Sequence, residues 1–202
     1  MPDAPTLLTG LTSQGGLDGP SSMLLADGRI GALDADAGAM ATGARVLEAR
    51  GLTAVPGFIE LQLNGAFGHD FTGEPASMWA VGGRLARHGI TAFLPTIVTS
   101  ERGSVEGALE AFSRPDPGAA GAVPLGLHVE GPFISPARAG AHDPALLRDP
   151  EPDEVQQWAT RGGMRILTLA PELPRSLEVI RLASQHGIVV AVGHTDADAA
   201  TA

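Results

Sequence analysis

Two rhythms of apolar and polar positions divide the chain. Over residues 1–54 the apolar residues come in short groups among Gly, Ala, Ser, Asp and Thr. Met23-Leu24-Leu25-Ala26 and Ile30-Gly31-Ala32-Leu33 flank Asp27-Gly28-Arg29, and an Asp-Gly between apolar runs signals a β-hairpin because both turn positions tolerate positive φ. Val46-Leu47-Glu48-Ala49 and Leu52-Thr53-Ala54-Val55 read as two more short strands around Gly51. The expectation is a small all-β unit with too few large apolar side chains to bury a core alone.

From Val55 the rhythm changes. Strand-like runs at 57–63, 91–94, 122–129, 165–169 and 188–192 alternate with segments at 77–88, 102–112, 152–160 and 173–185, whose apolar residues recur every three or four positions. Gly89 and Gly187, each just after a histidine, mark helix stops, which places His88 and His186 as C-terminal cations favourable with the helix dipole. Alternation of this kind implies βαβ units and a parallel sheet. An eight-unit barrel takes about 250 residues, so residues 55–202 read either as a five-stranded open α/β sheet or as part of a barrel. The Ala-rich run 196–202 reads as the start of another helix.

Composition narrows the chemistry. The formal charge is −10, and all 13 basic residues are Arg. An acidic chain lacks the concentrated basic surface that nucleic acid requires. Without Lys there is no Schiff-base or Walker lysine, and without Cys there is no disulfide, thiolate nucleophile or Cys-ligated metal. Any metal must be held by His, Asp, Glu, amide or water. No run approaches the ~20 apolar residues of a membrane span. Residues 1–5 lack a basic region leading into an apolar core, so no signal peptide is read and a cytoplasmic location is expected.

Polar residues gather at the predicted strand ends. The first strand ends Gln62-Leu63-Asn64-Gly65, the third His128-Val129-Glu130-Gly131-Pro132-Phe133, the fifth Gly193-His194-Thr195. That edge of a parallel sheet is where ligands bind, and a Glu and a His from different strands suit Zn²⁺ or a similar ion. Each has a plainer alternative. Glu130 could be a surface carboxylate held on a Gly-Pro turn, His194 a hydrogen-bonded loop histidine, and Asn64-Gly65 a routine turn. His128, two positions before Glu130, is expected to be turned away or displaced along the pleat, and its role stays open, as does that of His142.

Taken together, these segments resemble the N-acetylglucosamine-6-phosphate deacetylases of the amidohydrolase superfamily. The resemblance rests on Pro56-Gly57-Phe58-Ile59, Leu94-Pro95-Thr96, the block from His128 to Phe133, Gly140-Ala141-His142, Leu169-Ala170-Pro171-Glu172 and Gly193-His194-Thr195-Asp196. It implies a (β/α)₈ TIM-type barrel of which only the first five βα units are present, preceded by a small β-sandwich portion. Residues 1–54 would be that N-terminal β-sandwich portion and 55–202 an incomplete metal-dependent barrel. Most amidohydrolases end their first barrel strand with His-x-His. Here the positions hold Gln62 and Asn64, neutral amides that donate poorly to a borderline metal, so one metal site is expected in place of two.

By resemblance, Glu130 and His194 are metal ligands, Ala141 and His142 belong to the substrate pocket, and Gln62 and Asn64 are first-strand site residues. The implied cofactor is one divalent metal ion per subunit, zinc by preference. The implied reaction is hydrolysis of the acetamide of N-acetylglucosamine 6-phosphate to glucosamine 6-phosphate and acetate. The implied partners are this small amino-sugar phosphate and a second subunit in a homodimer, with no nucleic acid and no membrane. The family's third metal ligand and its general-base Asp are expected beyond Ala202, with Asp70 and Asp196 unsupported substitutes. This chain alone is therefore expected to be inactive and marginally folded. The alternatives are a non-catalytic remnant that binds a sugar phosphate or partner subunit, and an amidohydrolase for another N-acyl amino sugar.

Overall fold

The structure is a computed structural model that describes residues 4–12 and 19–202. It divides into two compact units, Met1–Pro56 and Gly57–Ala202.

In the first unit, β1 (Thr6–Thr9), β2 (Ser22–Ala26), β3 (Arg29–Leu33) and β4 (Arg45–Glu48) form a sheet in the order β3-β2-β1-β4. β2 and β3 are the predicted hairpin. Asp27 and Gly28 both have positive φ (51° and 69°), so the two-residue turn matches the right-handed strand twist. Two expectations are corrected here. The unit is not all-β: α1 (Asp34–Met40) follows β3, favoured by its alanines and by Asp34 and Asp36 in the first turn. Ala37 of α1 packs on Leu7 and Leu24 to make the unit's small core. Nor does 52–55 form a strand. Leu52 N–H closes a turn onto the Ala49 carbonyl, and the Leu52 carbonyl accepts both the N–H and the hydroxyl of Thr12.

The second unit is a curled parallel half-barrel sheet. Five strands lie side by side in chain order: β5 (Phe58–Leu63), β8 (Ile90–Val98), β10 (Leu127–Glu130), β11 (Met164–Leu169) and β12 (Val189–Val192). A small hairpin, β6 (Gly65–Ala66) with β7 (His69–Asp70), follows β5, and the short β9 (Val123–Pro124) runs beside the start of β8. The helices α2 (Met78–Leu85), α3 (Ser104–Phe112), α4 (Pro152–Arg161) and α5 (Ser176–Gln185) return the chain between strands. Each presents an apolar stripe at three- and four-residue spacing: Met78, Val81 and Leu85; Val105, Ala108 and Leu109; Val155 and Trp158; Val179 and Ala183. These meet Phe93, Ile97, Leu167 and Leu169 from the strands in one core, where Trp158 stacks on Phe133 with ring centroids 5.8 Å apart.

The expected 122–129 strand is broken in two. Gly126 takes φ 145°, and a side chain there would run into the Gly163 carbonyl, so the backbone steps aside between β9 and β10. β8 is longer than expected and runs through Pro95. The residue's missing N–H is tolerated because the β5 pairing shifts register between Glu60 and Leu63. The predicted helix over 196–202 is also not formed. The Asp198 carboxylate instead accepts Ala200 and Thr201 N–H and closes a single turn. At the two end strands, Phe58, Ile59 and Leu61 of β5 and Val189 and Val192 of β12 remain exposed.

Candidate metal centre

The register of the parallel strands sets Glu130 at the C-terminal end of β10, opposite Val98 of β8 and Thr168 of β11. Its carboxylate is buried, with 8% of the side chain accessible. β12 ends two residues before His194, whose backbone turns into the left-handed region (φ 50°). That turn brings the ring back over the strand ends, and its Nε2 lies 3.2 Å from Glu130 Oε1. His142 arrives from the loop after β10, between two short 3₁₀ turns, with Nε2 3.9 Å from the same oxygen. The two imidazoles meet edge to face at 4.6 Å. Among the described residues, Glu130, His142 and His194 form one group whose ligand atoms all lie within 4.8 Å of one another.

The hydrogen bonds around this group show what it lacks. His194 Nδ1 is 3.0 Å from the Arg138 carbonyl, which can only accept, so in the neutral ring Nδ1 carries the proton and Nε2 presents a lone pair. That lone pair faces a carboxylate oxygen, a second acceptor, with nothing donated between them. Glu130's other oxygen is satisfied by Gln62, whose Nε2 donates to Oε2 at 2.9 Å. Glu130 Oε1 and the imidazole nitrogen that faces it fit a cation with mixed oxygen and nitrogen ligands. His142 Nδ1 is 2.8 Å from Thr99 Oγ1, which fixes the ring with Nε2 toward the group. Burial pushes the His142 pKa down and the neighbouring His194 adds to this, against the opposing pull of Glu130. A neutral imidazole is the form that ligates a metal.

A cavity of about 430 Å³ opens beside Glu130 and His194, lined also by Gln62, His128 and Thr168. His128 is corrected here, since it is neither turned away nor displaced. It shares Glu130's face of β10, as residues two apart in a strand must, with Nε2 2.7 Å from Thr168 Oγ1 and Nδ1 3.1 Å from the Leu61 carbonyl. Burial also depresses its pKa, outweighing the Leu61 hydrogen bond and the Glu130 charge.

The remaining candidates divide. Gln62 joins the group through Glu130. Asn64 lies outside the cavity lining, and its carbonyl accepts Phe71 N–H. Ala141 is an exposed residue next to His142. Asp70 accepts Thr72 N–H, and Asp196 is paired with Arg138 at 2.6 Å, so neither stands in the Glu130 group. Thr99 and Arg138 were not singled out from the sequence. Thr99 directly follows β8, at the same sheet edge as Glu130, and follows from the same rule, whereas Arg138 contributes a main-chain carbonyl and leaves no sequence signal.

No protein-family model matches the chain. Among curated proteins, the N-acetylglucosamine-6-phosphate deacetylase of Bos taurus is 44% identical over 160 residues, covering 75% of this chain and 39% of that protein. The Bacillus subtilis deacetylase is 35% identical over 153 residues, covering 72% of this chain and 39% of that protein. Among solved structures, the Mycobacterium smegmatis N-acetyl-D-glucosamine-6-phosphate deacetylase in complex with N-acetyl-D-glucosamine-6-phosphate superposes with a TM-score of 0.81 at 31% identity, covering 98% of this chain and 52% of that one. The Pasteurella multocida deacetylase gives a TM-score of 0.80 at 25% identity, over 96% of this chain and 52% of that one. The chain thus spans about two fifths of the length of these curated relatives. Over that span the chain is homologous in sequence, and similar in fold, to N-acetylglucosamine-6-phosphate deacetylases.

Proposed function

We propose that Glu130 and His194 hold one divalent metal ion, zinc, at the mouth of the half-barrel. The reaction served is hydrolysis of the acetamide of N-acetylglucosamine 6-phosphate to glucosamine 6-phosphate and acetate. One observation carries the reading: Glu130 Oε1 and His194 Nε2 converge at 3.2 Å while His194 Nδ1 lies on a main-chain carbonyl that can only accept. A bound zinc would polarise an amide carbonyl and lower the pKa of a coordinated water toward ~7. The chain's own residues do the rest. Gln62 fixes the carboxylate, the Arg138 carbonyl fixes the His194 tautomer, and Thr99 fixes His142. His142, with Ala141 beside it, belongs to the pocket for the sugar phosphate. The cavity beside Glu130 admits a small polar substrate.

The same reading places residues 57–202 as the first five units of an eight-unit barrel and the first unit as part of a β-sandwich domain. Neither Asp70 nor Asp196 is free beside the metal pair. We infer that the catalytic base, and the homodimeric partner surface expected of the family, lie in the length of the relatives that this chain does not span, and that the chain by itself releases no acetate. A second reading has its own observation. His142 lies close enough to the pair to be a third metal ligand.

The test is zinc content together with acetate release, on this chain and on a protein extended to the relatives' full length. About one zinc per chain, with acetate released only by the extended protein, is expected. Turnover by the 202-residue chain, or no zinc in either, would overturn the assignment. H142A separates the two readings: lost zinc makes His142 a ligand, whereas kept zinc with lost substrate binding places it in the pocket.

A further inference from the structure

His194 needs an explanation that its contacts with Glu130 do not supply. A non-glycine residue at φ 50° is uncommon and persists only where its surroundings over-determine it. Ahead of it, Gly193 N–H is bound to the Leu169 carbonyl, and the His194 carbonyl accepts Ser135 N–H at 3.0 Å. Behind it, one side chain grips both following residues. Glu172 Oε2 accepts the Thr195 hydroxyl at 2.6 Å, and Glu172 Oε1 accepts Asp196 N–H at 2.7 Å. Thr195 Oγ1 in turn accepts Ala197 N–H.

Glu172 stands on an anchored turn. Ala170 N–H is bound to the Phe133 carbonyl, and the Ala170 carbonyl accepts the buried Ser176 hydroxyl at 2.9 Å. The carboxylate therefore ties the His194 loop to the end of β11. Burial raises the pKa of its acid, yet the hydrogen bonds from Thr195 and Asp196 outweigh this and hold it below the ordinary carboxylate range. The Arg138–Asp196 ion pair nearby is solvent-exposed on both sides and is screened accordingly.

We propose that Glu172 is a positioning residue for the metal centre: by clamping Thr195 and Asp196 it holds His194 in its left-handed turn, with Nδ1 on the Arg138 carbonyl and Nε2 toward Glu130. This rests on the metal reading above, and goes beyond it by assigning a role to a side chain that touches neither metal nor cavity. The geometry also explains why this position is an acid. Two donors converge on it, and two carboxylate oxygens accept both without offering a competing proton.

The experiment uses the 202-residue chain and E172A, E172Q and R175A variants. Zinc affinity is read by competition with a chromophoric chelator, and the His194 ring by long-range ¹H–¹⁵N correlation on the metal-free protein. E172A is expected to weaken zinc binding by about 10- to 100-fold, the range typical of lost outer-sphere support. Its His194 ring should shift from the Nδ1–H tautomer to a mixture. E172Q should retain most of the affinity, because its amide can accept Asp196 N–H and donate to Thr195 Oγ1. R175A, which breaks only an exposed pair with Glu178, should match the wild type. Unchanged zinc affinity and an unchanged His194 ring in E172A would overturn the proposal, as would a general loss of the folded amide spectrum. Failure of the wild type to bind zinc would instead refute the metal reading, and the ring signal alone would then decide the role of Glu172.

Discussion

Replacing Glu130 by Gln should abolish metal binding and at the same time stabilise the metal-free protein. With the His194 ring in its neutral Nδ1–H form, Glu130 Oε1 faces the lone pair of Nε2 at 3.2 Å. Gln at this position keeps an acceptor for the Gln62 amide, now 2.9 Å from Oε2, and turns an N–H toward His194. Two opposed acceptors become a hydrogen bond, worth about 0.5–1.5 kcal/mol, and a buried charge is removed. For a chain of this size about 1 kcal/mol moves Tm by roughly 2–4 °C, so metal-free E130Q should melt about 1–6 °C higher than the wild type. Zinc reverses the order. At a hundredfold excess over Kd it stabilises the wild type by about 2.7 kcal/mol, or roughly 5–11 °C, and should leave E130Q unmoved. Scanning calorimetry with and without zinc reads both effects. A metal-free E130Q that melts lower than the wild type would show that Glu130 and His194 form an ordinary ion pair. A zinc shift preserved in E130Q would place the metal elsewhere.

The parts of the molecule legible in its sequence are those governed by local rules. The hairpin at Asp27-Gly28 follows from two consecutive positive φ values, and α2 to α5 follow from apolar spacing, with their ends kept or moved by up to three residues. The misses are places where a distant backbone decided. The gap between β9 and β10 exists because Gly163 and Arg165 crowd Gly126, a contact 37 positions or more along the chain. α1 was hidden because its Ala-rich run holds one large apolar residue, the exposed Met40, and buries only Ala37.

The candidate site divides in the same way. Glu130 and His194 announce themselves as polar residues after apolar strands, and Gln62 by its place at the end of β5. His142 gives no such signal, because a loop that spans 12 positions from Glu130 has to fold back before the two meet. That return is held by Thr99, by the Arg138 carbonyl and by Arg148, whose N–H is bound to the Pro132 carbonyl. Strand periodicity therefore shows which residues reach the sheet's edge. It does not show which loop residues are carried back over that edge.

Three further outcomes test the architecture around the site. Gly131, at φ 81°, has no room for a side chain against Thr99 Oγ1 and Ile134, so Gly131→Ala should cost about 2–4 kcal/mol from backbone strain and overpacking. Denaturant unfolding reads that cost, and a change below 0.5 kcal/mol would refute the close packing. Trp158→Ala should cost about 3–5 kcal/mol, because the indole is fully buried on Phe133, the residue that ends the Glu130 turn. A near-neutral change in the same assay would mean that Phe133 does not depend on it. The last outcome concerns acid. Burial lowers the folded pKa of both His128 and His142 below the ordinary value near 6.5 that they regain on unfolding. Between those values the unfolded chain binds more protons than the folded one, so stability rises with pH. The contribution is fully present above about 6.5 and is lost as pH falls through that value toward the depressed folded values. Metal-free thermal melts from pH 7.5 down to 5 should therefore fall before the carboxylates titrate, and the fall should shrink in H142A. Melts that rise on acidification over that window would mean that folding gives the two rings anionic or accepting partners that favour their protonated form, and the neutral donor set would be wrong.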